Sequence, residues 1–273
     1  MWSFPRIIAH RGGGTLAPEN TLAALRCGLA HGFRGVEFDV MALPDGALVL
    51  MHDTELGRTV SGSGPVADQT FASLIAADAG AWFSAEFAGE PVPSFAQAAQ
   101  FCIEHQLWMN VEIKPLPGTE VATGRRVAQA CAGLPAGAVL LSSFSTEALR
   151  AAQAVAPTIA RGLLVERVPP DWHQQLDQLA AVSLHAQAGA LTAAQASAVK
   201  RAGFGLMCYT VNDPAQARTL FDWGVDAICT DRLDLITPDF QSRGPPSVRH
   251  LTGIIASFST ANLSNATYPH RAP

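Results

Sequence analysis

A chain of 273 residues with a net charge of −5 and only 15% charged residues has no basic stripe with which to track a polyanion, so nucleic acid is excluded as a partner. Its 48% hydrophobic content is far above that of a disordered chain, yet no apolar run reaches the about 18 residues of a membrane span. One barrel-sized domain of about 250 residues fits the length.

Apolar runs of strand length alternate with Ala-rich helical segments. The first strand is expected over 6–10, followed by a helix over 20–31 and a strand over 35–40. After a long break come a helix over 95–105, a strand over 107–113, a helix over 119–132 and a strand over 138–142. The alternation continues with a helix over 146–154, a strand over 159–164, a helix over 171–179 and a strand over 181–185. It closes with a helix over 193–202, a strand over 205–209, a helix over 214–223 and a strand over 227–230. Asn20, Ser94, Ser145, Thr192 and Asp213 are the expected N-caps, and Gly32, Gly203 and Gly224 the left-handed helix ends. Strands separated by helices pair in parallel through right-handed crossovers. A count of eight favours closure into a TIM (β/α)8 barrel, and no G-x-G-x-x-G opens the first helix to suggest a dinucleotide fold.

The break falls between Asp39 and Phe95. A turn over 42–47 returns the run 47–52 beside the second strand as a hairpin. The stretch 53–93 is too long for a loop, so it is expected to be a small inserted subdomain after the second strand, with 71–76 and 80–83 as its apolar contacts. The barrel is expected to occupy 1–240 and a poorly ordered tail 241–273, in which Asn262 and Asn265 open glycosylation triplets. The start Met1-Trp2-Ser3-Phe4-Pro5-Arg6 does not read as a signal peptide, so those triplets are expected to stay unmodified. The scattered Cys27, Cys102, Cys131, Cys208 and Cys229 read as free thiols, so the expected location is cytoplasmic.

Charged residues gather where these strands end. Residues two apart on a strand share a face, so Glu37 pairs with Asp39 and Glu112 with Lys114. At the C-terminal end of a barrel that face opens into the mouth where active sites sit. Three carboxylates drawn together repel one another unless a cation joins them, and oxygen ligands suit a hard divalent ion, Mg²⁺ or Ca²⁺. The competing reading is a structural ion-pair network of Glu37, Asp39, Glu112, Lys114 and Arg11. His10 and His52 flank the acidic pair, and imidazole both takes and gives a proton near neutrality, as cleavage of a phosphodiester requires. Arg11 and Lys114 can offset phosphoryl charge. Gly12-Gly13-Gly14 would let backbone N–H groups approach an anion, although a glycine run is more often only a loop. His185, at an expected strand end, and Ser143 with Phe144 are further candidates for the pocket wall.

Taken together, His10-Arg11-Gly12, Ala17-Pro18-Glu19-Asn20-Thr21, Glu37-Phe38-Asp39-Val40, His52-Asp53, Glu112-Ile113-Lys114 and Tyr209-Thr210-Val211-Asn212 resemble the motifs of the glycerophosphodiester phosphodiesterase family. Gly224-Val225-Asp226-Ala227-Ile228-Cys229-Thr230-Asp231 resembles its closing strand. The resemblance runs from about Arg6 to Leu235. It implies a TIM barrel with an insertion after the second strand, one divalent cation, and hydrolysis of glycerophosphodiesters to glycerol 3-phosphate and an alcohol. It further implies His10 and His52 as the acid–base pair, Glu37, Asp39 and Glu112 as metal ligands, and Arg11 and Lys114 as phosphate contacts. Tyr209 stands where many members carry Trp and would supply the aromatic wall for the substrate. The expected partner is a small glycerophosphodiester, with no stable membrane association and a monomer or homodimer as the assembly. Two rival readings are a related barrel phospholipase or lysophospholipase D acting on lipid phosphodiesters, and a non-catalytic phosphodiester-binding protein.

Overall fold

The computed structural model describes residues 2–240. The expected tail and its two glycosylation triplets lie outside the described residues. Eight parallel strands close on themselves: β1 (Ile7–Ala9), β2 (Gly35–Ala42), β6 (Trp108–Ile113), β7 (Val139–Ser143), β8 (Ala160–Val165), β9 (Ser183–Gln187), β10 (Gly205–Tyr209) and β11 (Ala227–Thr230). Each pairs with the next, and closure comes from β1, which pairs with β11 (Ile8 beside Cys229) and with β2 (Ala9 beside Val36). Helices α1 (Leu22–Ala30), α3 (Phe95–Glu104), α4 (Glu120–Cys131), α5 (Thr146–Val155), α6 (Trp172–Gln178), α7 (Ala193–Arg201) and α8 (Pro214–Asp222) carry the crossovers. The fold is the expected TIM barrel. No helix among the described residues is long and apolar enough to cross a membrane.

Period-two burial in the strands produces two cores. Outward residues such as Val36, Phe38, Val111, Leu141, Leu163 and Leu184 pack under the helices. Inward residues Ile8, Trp108, Leu140, Met207, Ala227 and Cys229 fill the barrel, which Trp2 and Phe4 close from below. Phe4 stacks on Trp108 at 5.0 Å between ring centroids.

Local signals explain most of the boundaries. Ser94 caps α3 and Thr192 caps α7 in reciprocal capping boxes with Gln97 and Gln195. Ser145 and Asp213 cap α5 and α8. The first helix is different: Thr21, not Asn20, accepts the N–H of Ala24, and the helix starts at Leu22. Asn20 is instead buried with φ at 58°. His185 is also displaced from expectation, because β9 continues to Gln187. Its ring lies inside the barrel with no exposure, 2.9 Å from the Ser183 hydroxyl, and burial pushes its pKa down to about 3. A Cβ on Gly162 would stand 2.4 Å from the His185 ring, so glycine there makes room for it. His185 is a neutral core residue, not a wall of the mouth.

The break after β2 holds β3 (Leu48–Leu50), antiparallel to β2, then the short pair β4 (Glu55–Leu56) and β5 (Gly64–Pro65) and helix α2 (Phe71–Ile75). Its side chains Val49, Met51, Val60, Val66, Leu74 and Val92 build a second small core with Met41 of β2. Leu116, from the loop after β6, joins that core and so ties the insertion to the barrel mouth.

Candidate active site

The register between β2 and β6 sets Asp39 beside Glu112 and Glu37 beside Asn110. Because alternate residues face inward, Glu37, Asp39 and Glu112 converge, each offering an oxygen within 4.8 Å of the others. Glu37 is 5% and Asp39 1% exposed. Burial, reinforced by the Asp39 charge, pushes Glu37 up to about 7 and Glu112 up to about 8. Burial acts on Asp39 too, but the Lys114 and Arg11 cations overcome it and hold Asp39 below the usual carboxylate range. Two carboxyls that resist ionisation beside a third that is ionised form a cluster short of positive charge.

Asn20 fixes that central carboxylate. Its amide donates to Asp39 Oδ2 at 2.8 Å, and its carbonyl accepts the Asp39 N–H at 3.1 Å. The left-handed backbone at Asn20 (φ 58°), a region asparagine tolerates better than most residues, brings this amide inward. Arg11 adopts a similar backbone, φ 48°, which directs its N–H to Glu37 Oε2 at 3.0 Å. The Arg11 guanidinium reaches Glu19 at 2.7 Å and lies 3.5 Å from Asp39. Lys114 Nζ stands 3.3 Å from Asp39 and 3.4 Å from Glu112.

Two histidine–aspartate pairs flank the cluster. His10 Nδ1 meets Asp231 at 2.5 Å, and its Nε2 lies 3.8 Å from Glu37. Asn212 secures Asp231 twice, donating to Oδ2 at 2.9 Å and accepting the Asp231 N–H at 2.8 Å. Burial disfavours charge on His10, but the Asp231 hydrogen bond and the Glu37 charge outweigh it and raise its pKa. On the opposite flank His52 Nδ1 meets Asp53 at 2.7 Å. Here burial wins over the Asp39 charge and the Asp53 hydrogen bond, and the His52 pKa is lowered. In both pairs a carboxylate holds Nδ1, which leaves Nε2 for other work. A cavity of about 430 Å³ opens beside His52, lined by Asp53, Thr54, Glu55, Leu56, Arg58 and Lys114.

Other expected residues have simpler places. The Tyr209 hydroxyl donates to the Val165 carbonyl at 3.0 Å, and its ring meets Phe144 edge-on at 5.9 Å. Phe144 is 46% exposed, whereas Ser143 is fully buried and donates to the Ile113 carbonyl at 2.6 Å. Ser143 therefore braces strands and lines nothing. The last glycine of the run serves packing: the Gly14 N–H donates to His10 O, and the next N–H, of Thr15, to Asp231 O. A Cβ on Gly14 would fall 2.2 Å from the Asp231 carbonyl oxygen, and its φ is 54°. The Gly14 and Thr15 N–H groups are thus occupied within the protein.

The contributions of Asn20, Asn212, Asp231 and Arg58 escape a reading of residue types alone. Asp231 ends the last apolar run just as Asp39 ends the second, and that recurrence was the available signal.

The chain matches the Glycerophosphoryl diester phosphodiesterase family over residues 10–235. It belongs to that family. A glycerophosphodiester phosphodiesterase of Caldanaerobacter subterraneus is 33% identical over 231 residues, covering 82% of this chain and 93% of the relative. Among solved structures, an Oleispira antarctica phosphodiesterase in complex with the product sn-glycerol-3-phosphate superimposes with a TM-score of 0.80 at 36% identity, over 84% of this chain and 93% of the other. A glycerophosphodiester phosphodiesterase from Agrobacterium tumefaciens gives a TM-score of 0.69 at 27% identity, over 88% and 99%.

Proposed function

We propose that the chain hydrolyses small glycerophosphodiesters to glycerol 3-phosphate and an alcohol, with His10 and His52 as the proton-transfer pair and one divalent cation, Mg²⁺ or Ca²⁺, as cofactor. The observation that carries this reading is the convergence of three carboxylates between two histidine–aspartate pairs at the C-terminal rim of the barrel. Glu37, Asp39 and Glu112 fit a hard cation, because two of them ionise only against resistance until positive charge arrives. Bound there, the ion would polarise a phosphoryl oxygen.

The remaining chemistry belongs to the chain. Arg11 and Lys114 offset charge on the phosphoryl oxygens, Arg11 through a planar fork suited to two parallel hydrogen bonds. One imidazole accepts the proton of the attacking hydroxyl through Nε2, while the other protonates the departing alkoxide as its P–O bond breaks. Asp231 and Asp53 hold the two Nδ1–H groups, which sets the tautomer and leaves each Nε2 facing the reaction. We take the attacking group to be the glycerol 2-hydroxyl, since a neighbouring hydroxyl has a large effective-concentration advantage over water. Water then opens the resulting cyclic phosphate with the two imidazoles in exchanged roles. Tyr209 and Phe144 offer an aromatic wall to the carbon skeleton of the substrate.

The lysolipid reading rests on exposed apolar side chains of the insertion, Trp82 at 44% and Ile75 at 45%. Two separate side chains fall short of the continuous patch that would seat an acyl chain or a lipid surface, so soluble diesters are the favoured class. Cytoplasmic placement rests on five cysteines that all stand as free thiols. The test is a panel of glycerophosphodiesters with glycerol 3-phosphate release as readout, run beside micellar lysolipid. Release from glycerophosphocholine or glycerophosphoethanolamine is expected; release from lysolipid alone would replace this reading with the lipid one.

A further inference from the structure

Arg58 has no part in the chemistry above, yet one guanidinium holds two carboxylates beside it, Asp53 against His52 and Glu19 against Arg11. Its Nε and Nη2 donate to the two oxygens of Asp53 at 2.5 and 2.9 Å. Its Nη1 and Nη2 donate to the two oxygens of Glu19 at 3.0 and 2.8 Å. Asp53 in turn accepts from His52, and Glu19 accepts from Arg11 at 2.7 Å. An unbroken chain of charge-assisted contacts thus runs His52–Asp53–Arg58–Glu19–Arg11, from the insertion to the loop that follows β1.

We propose that Arg58 is a positioning residue that locks His52 and Arg11 into one geometry by gripping Asp53 and Glu19 together. This inference rests on the reading of His52 as a proton-transfer group. The case is geometric. Asp53 accepts hydrogen bonds from only His52 and Arg58 among the described residues, so without Arg58 it is held by the very imidazole it should orient. On the other flank Asp231 has Asn212 and the end of β11 as anchors, whereas Arg58 is the one residue of the insertion that donates to Asp53 among the described residues. A guanidinium is a rigid planar fork with five donors, able to hold two carboxylates at once. A lysine ammonium is a point charge on a flexible stem and cannot reproduce that span. The Arg58 side chain is 47% exposed, a setting in which ion pairs add little to stability. Its effect therefore falls on placement, where an error of about 1 Å costs about 100-fold in rate.

The test measures kcat and KM for glycerophosphocholine with saturating divalent cation in wild type, His52→Ala, Arg58→Gln, Arg58→Lys, Arg58→Ala and the double variant His52→Ala/Arg58→Gln. Arg58→Gln is expected to lower kcat by about 30- to 100-fold with KM nearly unchanged and the melting temperature within about 3 °C of wild type. Arg58→Lys should recover little of the loss, while added guanidinium ion at low millimolar concentration should restore Arg58→Ala several-fold and ammonium should not. The double variant should fall below His52→Ala by much less than Arg58→Gln falls below wild type, because only the placement of Arg11 through Glu19 is left to lose. Wild-type kcat in Arg58→Gln, full recovery by Arg58→Lys, or an equal loss from Arg58→Gln in the His52→Ala background would each overturn the proposal. Should Arg58→Gln prove unfolded at the assay temperature, Arg58→Lys and the guanidinium rescue decide the matter. An active His52→Ala enzyme would instead refute the role given to His52, a failure distinct from that of Arg58.

Discussion

The two histidines reach the same cluster by different means. His10 is set by the barrel itself: its N–H donates to Thr230 O across the β1–β11 closure, and its partner Asp231 ends the neighbouring strand. His52 lies just past β3, outside the closed barrel, with its partner adjacent in sequence and its brace in the insertion. The His10 side chain is 17% exposed and that of His52 31%. Sheet register therefore fixes one imidazole, while an ionic clamp on a more open segment fixes the other. A barrel rim can keep half of a site constant while an inserted segment adjusts the other half to its substrate.

The largest expected effect comes from the cluster that both halves share. Chelation should abolish turnover, and Mg²⁺ or Ca²⁺ should restore it. The pH dependence of stability sharpens this expectation. Folded Glu37 and Glu112 hold their protons up to about 7 and about 8, whereas an unfolded carboxyl has released its proton by about 5. Between those values the two carboxyls bind more protons in the native state than in the unfolded one, so their contribution to metal-free stability is lost as pH rises from about 5 to about 8. His185 and His52, both lowered by burial, work in the opposite direction only up to the ordinary imidazole range of about 6.5. Asp39 works in that direction too, but its contribution is complete above about pH 4. At one fixed metal concentration, about a hundredfold above the Kd at pH 8, metal should thus raise the melting temperature by about 5–10 °C at pH 8 and by less at pH 6. An equal increment at both pH values in calorimetry would show that the carboxyls do not give up protons to the ion.

Next in size are the imidazoles. His10→Ala and His52→Ala should each lower kcat by about 10²- to 10⁴-fold without unfolding the protein, as circular dichroism would verify. The comparison is then drawn between their partners. Asp231→Asn and Asp53→Asn both replace the carboxylate that holds Nδ1–H with a neutral amide, which has one acceptor oxygen for two donors, and each should lower kcat by about 10- to 100-fold with little change in KM. Asp231→Asn should also lower the melting temperature more, since Asp231 ties the loop after β10 to the end of β11 through Asn212, while Asp53 is held by the half-exposed Arg58. Equal melting temperatures would remove the distinction between a register-held and a clamp-held histidine.

How legible was this in the chain? The eight strands were, because they are apolar runs alternating with helices, several of which open on a Ser, Thr or Asp cap, and local chemistry of that kind is written in neighbouring residues. The acidic trio was also visible, since carboxylates two apart at a strand end have few other uses. What could not be seen depends on closure. Asp231 lies 221 residues from His10 and meets it only because β11 pairs with β1. Asn20 has the right residue type for an N-cap, and only the fold shows that its neighbour Thr21 takes that role and frees the amide for Asp39. His185 was misplaced because β9 runs two residues further than its apolar core suggests, which moves the ring from the mouth into the barrel.

The smallest effect tests the barrel half from beneath. Asn20→Ala removes both hydrogen bonds to Asp39, one to its carboxylate and one to its N–H, and leaves the N–H without that partner inside the protein. Losing a buried partner of this kind costs about 1–3 kcal/mol of stability. In a domain of this size that lowers the melting temperature by about 2–10 °C. Asp39 would keep Lys114 and Arg11, so the carboxylate should stay ionised and merely turn more freely. Metal affinity should weaken by about 10-fold, as when the outer partner of a ligand is removed elsewhere, while kcat at saturating metal should change little. Titration calorimetry separates these outcomes: unchanged affinity with lowered stability would make Asn20 a brace for the backbone alone, and weakened affinity makes it the residue that aims the central ligand.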